Sequence, residues 1–167
     1  MASRRSFLTG MAGLLPFSLA GGAFAVAAQP VLRVHGAVGP GPGPGDLAFD
    51  GAALDALPQT RFRTTTLWHQ APAEFSGISA RDLFAAVRLR SPRLRLVALN
   101  DYVVEADADE IVAADGLFAT RQDGVLMPVS DKGPIFLLFP FDQREELRHQ
   151  TYYSRAVWQL CEIEAVS

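Results

Sequence analysis

Cysteine is almost missing from this sequence: Cys161 is the only one in 167 residues. A single thiol closes no internal disulfide, so buried apolar surface has to supply the stability. Histidine is scarce, and His35, His69 and His149 show no metal-ligand spacing. An excess of positive charge is lacking as well. The 15 Lys and Arg face 18 Asp and Glu, and setting Arg4 and Arg5 aside leaves a formal charge of −5. That balance argues against nucleic acid as a partner. Beyond the N-terminal segment no apolar run reaches the roughly 18 residues that span a membrane. No repeat is visible, and there is no Gly-x-Ser-x-Gly, phosphate loop or Cys-x-x-Cys. Glu105, Asp107, Asp109 and Glu110 cluster, but without the alternating ligands and turn glycine of a calcium loop, so they read as the solvated start of a helix.

What is present begins with "SRRSFLTG". Arg4 and Arg5 are the only charges before Arg33, and a weakly apolar run loosened by glycines and broken by Pro16 follows them. Small residues at Ala23, Ala25 and Ala27 offer cleavage sites before Gln29. This is the layout of an export signal, and the arginine pair matches the twin-arginine type. The expectation is a cleaved signal over residues 1–28, a periplasmic location, and a single domain over 29–167. The twin-arginine route carries proteins already folded, which hints at a cofactor-loaded cargo.

The mature chain then reads as alternating short elements. "VLRVHGAV" is a strand, and "GPGPGPG", with period two, is a surface loop rather than collagen. A brief strand and a short helix ending at Pro58 come next. "RFRTTTL" alternates, placing Phe62, Thr64 and Thr66 on one face. "SARDLFAAVRL" is a helix capped by Ser79 with Asp82 at the capping-box position. "LRLVALND" and "YVVEA" are strands around a turn at Asn100-Asp101, and "DADEIVAADG" is a short helix closed by Gly116. "LFATRQDGVLMPV" is a hairpin turning at Asp123-Gly124. "GPIFLLFPF" is a strand buried on both faces, "DQREELRHQTYYS" is helix or loop, and "AVWQLCEIEAV" is a closing strand with Cys161 as a small core residue. The links are too short for crossover helices. The predicted fold is α+β, with a mixed, mainly antiparallel sheet or barrel-like core and short helices around it.

The order of "VLRVHGAV", "FSGISARDLF", "LNDYVVEADADEI", "DKGPIFLLFP" and "AVWQLCEIEAV" resembles the molybdopterin-binding domain of the sulfite oxidase family, over residues 31–166. The resemblance implies that family's fold and a molybdopterin cofactor. It also implies a cysteine thiolate on molybdenum about twelve residues ahead of the position of Gly77. Counting back reaches Thr65, in "TTTLWHQ", where no cysteine stands. A hydroxyl is a poor ligand for so soft a site. The family's phosphate-holding arginine falls at Phe136, and Lys132, four residues earlier, could stand in for it only in part. The chain looks closest to small, exported, cysteine-less members.

The candidate binding residues are therefore Thr65, Trp68, His69, Asn100, Asp101, Tyr102 and Lys132, with no metal ligand and no catalytic residue assigned. Each has a plainer reading. Trp68 and His69 fit a loop packed on the core, Asn100 and Asp101 fit turn chemistry, and Asp131-Lys132-Gly133-Pro134 fits a strand-entry turn with a local ion pair. Two functions follow. One is an exported molybdopterin-binding, oxidoreductase-type domain without thiolate-ligated molybdenum. The other is a non-catalytic periplasmic module for a small ligand, a pterin or a partner protein, such as a membrane signalling or redox protein.

Overall fold

The computed structural model describes residues 29–41 and 43–167. The export signal expected over residues 1–28 lies outside the described residues. In chain order the first elements are β1 (Leu32–Gly36), β2 (Gly45–Phe49), α1 (Gly51–Asp55), β3 (Gln59–Thr64), β4 (Ala73–Ser79) and α2 (Ala80–Ala86). There follow β5 (Arg93–Ala98), β6 (Val103–Asp107), α3 (Ala108–Ala113), β7 (Leu117–Gln122), β8 (Val125–Leu126) and β9 (Phe136–Leu138). A 3₁₀ turn (Glu145–Leu147), α4 (Gln150–Arg155) and β10 (Leu160–Ala165) complete the domain.

Two sheets form. The first has the order β2-β1-β10-β5-β6, all antiparallel except the β1–β10 pair. Alternation dictates its faces. Leu32 and Val34 of β1 and Leu94, Leu96 and Ala98 of β5 point into the core. Their neighbours carry ion pairs across the outer face, such as Arg33–Asp46 at 2.6 Å and Arg95–Glu164 at 3.2 Å. The second sheet runs β3-β4-β7-β8, with β9 also on β7. Here β7 is buried from Leu117 to Thr120, since other segments cover both of its faces. The α+β class, with two mostly antiparallel sheets and short helices, is what the sequence pattern indicates.

One stretch belongs to both sheets. Leu137 N donates to Val157 O and Leu160 N to Ile135 O, each at 2.9 Å. The chain thus runs beside β9 before entering the first sheet as β10. This is why the closing strand begins only at Leu160, later than its apolar pattern suggests. The β5–β10 register then slips between Leu160 and Glu162, a bulge at Cys161. The bulge corrects the expectation of a core cysteine. Cys161 is half-buried, and its thiol donates to Val97 O at 3.4 Å.

The local signals hold with small adjustments. Ser79 caps α2 by accepting from Asp82 N at 3.0 Å, while its hydroxyl donates to the Asp82 carboxylate at 2.6 Å. α3 is capped by Asp107 and leaves through Asp115, which takes the left-handed conformation (φ 53°) expected of Gly116. Gly116 is required for space, because a Cβ there would lie 2.6 Å from Ile111. The β7–β8 hairpin turns through Asp123 (φ 49°) and Gly124 (φ 80°).

Gly77, at a register shift between β4 and β7, lets the two strands approach closely: an added Cβ would sit 2.1 Å from Phe118 O. Gly77→Ala is expected to cost about 2 kcal/mol or more. The reading is a lowered urea midpoint with an unchanged slope. A midpoint equal to the parent's would show that β4 and β7 can separate freely at this point.

Candidate functional site

Three loops are held in fixed shapes at one end of the sheets. After β3, the Thr66 hydroxyl accepts from Trp68 N (3.1 Å) and His69 N (3.0 Å) and contacts His69 Nδ1 at 2.9 Å. This closed turn leaves Leu67 exposed and Trp68 half-exposed, with the Trp68 ring edge-on to Phe136 at 5.6 Å. Between β5 and β6, Asp101 adopts φ 63°, Ala98 N donates to Tyr102 O at 2.9 Å, and Asn100 Oδ1 accepts from Tyr102 N at 3.2 Å. The Tyr102 hydroxyl donates to Ser154 O at 2.8 Å, tying the turn to α4. Before β9, Lys132 adopts φ 62° and its ammonium holds Asp131 at 2.8 Å. Gly133 follows because a Cβ there would lie 1.9 Å from Met127 O.

Gln159 joins the loops. Its N–H donates to Lys132 O (2.9 Å), its carbonyl accepts from Leu99 N (2.9 Å), and its side-chain amide donates to Val129 O (2.5 Å). Two clefts result. One, of about 250 Å³, is lined by Trp68, Asn100, Tyr102, Tyr153, Ser154 and Trp158. The other, of about 200 Å³, is lined by Trp68, Ser130, Asp131, Lys132 and Trp158. They share both tryptophans, so an indole wall separates an aromatic compartment from a charged one. A larger cleft of about 320 Å³, between Arg93, Glu105 and Arg155, holds none of the candidate binding residues, although Glu105 and Asp107 of the acidic cluster line it. Its best-sheltered cation, Arg155, is already paired with Glu110 at 2.5 Å.

The structure thus brings Trp68, Asn100 and Tyr102 to one compartment and Trp68 and Lys132 to the other. Asp101 is exposed at the apex of its turn and lines neither. His69 lies behind the wall, its ring edge-on to Phe75 at 5.6 Å. Burial, and then the charge of Lys132, hold its pKa below the ordinary histidine value, so at neutral pH it carries no positive charge. Thr65 is also outside. Its N–H and hydroxyl donate to the two carboxylate oxygens of Asp142 at 2.5 and 2.6 Å. Sequence reasoning missed Tyr153, Ser154, Trp158 and Asp142. Trp158 stood in view within "WQL", but the others fall in a polar stretch with no clear period.

These residues do not fit a molybdenum–pterin group. At the position where the family resemblance implies a thiolate, the Thr65 hydroxyl is spent on Asp142, and Arg148 adds a third contact to that carboxylate at 2.8 Å. The Cys161 thiol is pushed up by burial, then by Glu162 and Asp101, and stays protonated at neutral pH. The place of the phosphate-binding arginine is Phe136, fully buried. Lys132, the chain's one lysine, is engaged by Asp131. Among the described residues no three His, Cys, Asp or Glu side chains converge on a point.

The Thr65 contacts, with those of Arg148, hold the Asp142 pKa below the usual carboxylate range. Such a group stabilises the fold above its unfolded pKa of about 4, and that contribution is lost as pH falls through the lower folded value. Asp142→Asn is expected to cost about 1 kcal/mol at pH 7. The gap between parent and variant should close in chemical denaturation between pH 5 and 2. A gap independent of pH would show that Thr65 does not hold the carboxylate.

No family model matches the chain, and no curated protein does. Among solved structures, the sulfane dehydrogenase SoxCD from Paracoccus pantotrophus is similar in fold, with a TM-score of 0.60 at 13% identity. The similarity covers 81% of this chain and 37% of that one, so the chain spans well under half the length of this structural relative, and what the two share is the fold.

Proposed function

We propose that the chain is an exported binding domain on a molybdopterin-enzyme-like fold, working through the cleft around Trp68 and Trp158, and that it does not hold molybdenum through a protein sulfur. The observation that carries this reading is the Thr65–Asp142 contact. The position where the resemblance implies a metal ligand holds Thr65, whose N–H and hydroxyl are spent on the Asp142 carboxylate, and the neighbouring cleft is aromatic. Four aromatic rings around about 250 Å³, with Asn100 and Ser154 as polar groups, suit a small planar or apolar group. The fold likeness to a dehydrogenase favours a second reading, a molybdopterin-dependent oxidoreductase with a non-sulfur ligand. The two part on composition. Protein exported by its native host is expected to contain neither stoichiometric molybdenum, by elemental analysis, nor pterin, by fluorescence after oxidative release. Finding both in folded protein would establish the second reading instead.

The proposed destination is the periplasm, reached by the twin-arginine route, and the support is the pair Arg4-Arg5 ahead of an apolar run. Replacing both arginines by lysine is expected to leave the precursor in the cytoplasm. Continued export of that variant at the parent's rate would point to the general secretion route.

A further inference from the structure

Every exposed large apolar side chain among the described residues falls in one of three segments, at residues 67–68, 99–103 and 125–129. The segments are far apart in sequence, yet each has a residue in the walls of the paired clefts or next to one that is: Trp68, Tyr102, and Val129 beside Ser130. Trp68 is in both walls, and Asn100 and Tyr102 line one compartment. Val129 and Leu99 are bonded to the same residue, Gln159. Leu67, Val125 and Leu126 are 61, 70 and 60% exposed. Single exposed apolar residues are ordinary, but their collection around one groove marks an interaction surface.

The surface is wider than a small molecule needs, and its charge selects the occupant. Asp131 lines one compartment, Asp101 is exposed at the apex of the turn that carries Asn100 and Tyr102, and Asp123 is at the tip of the hairpin that carries Val125. The one cation among the residues lining the two clefts, Lys132, is committed to Asp131. Asp101 has no ion-pair partner among the described residues. The rim is therefore net negative around an apolar centre. A second copy of this chain would set like charges against each other, and an anionic lipid surface would be repelled. We infer that this face docks a segment of another protein, one that offers a large apolar or aromatic side chain flanked by Arg or Lys. The side chain enters beside the Trp68–Trp158 wall, and its basic neighbours meet Asp101 and Asp131.

This rests on the reading of the cleft as a binding site. The test is selection of nine-residue peptides from a random displayed library on the folded domain, with Trp68→Ala, whose ring is half-exposed, as counter-target. Enriched peptides are expected to pair an aromatic or large aliphatic residue with Arg or Lys. Selected peptides, made synthetically, should lose at least about tenfold in affinity on Trp68→Ala. They should lose severalfold on the double change Asp101→Asn, Asp131→Asn, and again on raising the salt. The melting temperatures of both variants should stay near the parent's. No enrichment over the counter-target, or enrichment of neutral or acidic peptides, overturns the inference. So does dimerisation through this face in light scattering, or tighter binding to phosphatidylglycerol vesicles than to the peptides. Molybdenum and pterin in the exported protein would remove the underlying reading as well, whereas a cofactor-free protein that selects no peptide removes the docking inference alone.

Discussion

Gln159 is the residue on which the site's geometry depends. It sits in left-handed backbone (φ 55°), a conformation that costs a non-glycine residue about 1 kcal/mol or more. The cost is offset because that conformation aims three polar groups at once: its N–H at Lys132 O, its carbonyl at Leu99 N and its amide at Val129 O. The residues around it already join the sheets, through Val157 to Leu137 and Leu160 to Ile135. The β5–β6 turn and the loop before β9, which belong to different sheets, are therefore fixed to one short segment. The cleft walls take their positions from it, with Trp158 next in sequence and Tyr102 and Lys132 on the two loops.

The chemistry of this end of the molecule is aromatic and anionic. Asp142 is satisfied by Thr65 and Arg148, His69 is neutral, and Lys132 is balanced by Asp131. Among the described residues no free cation lines the clefts, so an occupant carrying phosphate would find only neutral donors such as Asn100, Ser130 and Ser154. Ring faces remain, and they recognise shape and apolar area or, with their negative faces, positive charge. The tyrosine hydroxyl of Tyr102 is directed at Ser154 O, so its ring is held in place.

Much of the fold could be read from local pattern. Alternation located β3, short apolar runs located β1 and β5, Ser79 announced α2, the acidic start of "DADEIVAADG" announced α3, and Asp123-Gly124 announced its hairpin, because each signal lies within a few neighbouring residues. The misses have a common cause. Thr65 meets Asp142 across 77 residues, and Tyr102 meets Ser154 across 52. No spacing rule reaches that far. Cys161 looked like a core residue because the apolar period runs through it, and a one-residue bulge moved it off the core face. The division of the strands into two sheets was equally hidden, since it depends on Val157–Leu160 pairing with β9 before β10 begins. Of the site, Trp68, Asn100, Tyr102 and Lys132 were named from sequence, while the wall supplied by α4 and Trp158 was not.

An apolar rim of this kind carries a risk for a chain without a disulfide, because exposed Leu67, Val125 and Leu126 invite association. Two features limit it. β8 is only two residues long, too short an edge to template another strand. The acids beside the rim oppose contact between copies. The loops that display the apolar residues are also closed by their own hydrogen bonds, at Thr66, Asn100 and Gln159, before anything binds. Ordering entropy is thus spent in folding and does not weigh against association. A cleft of modest volume can then discriminate by shape, since its walls do not have to be assembled by the occupant.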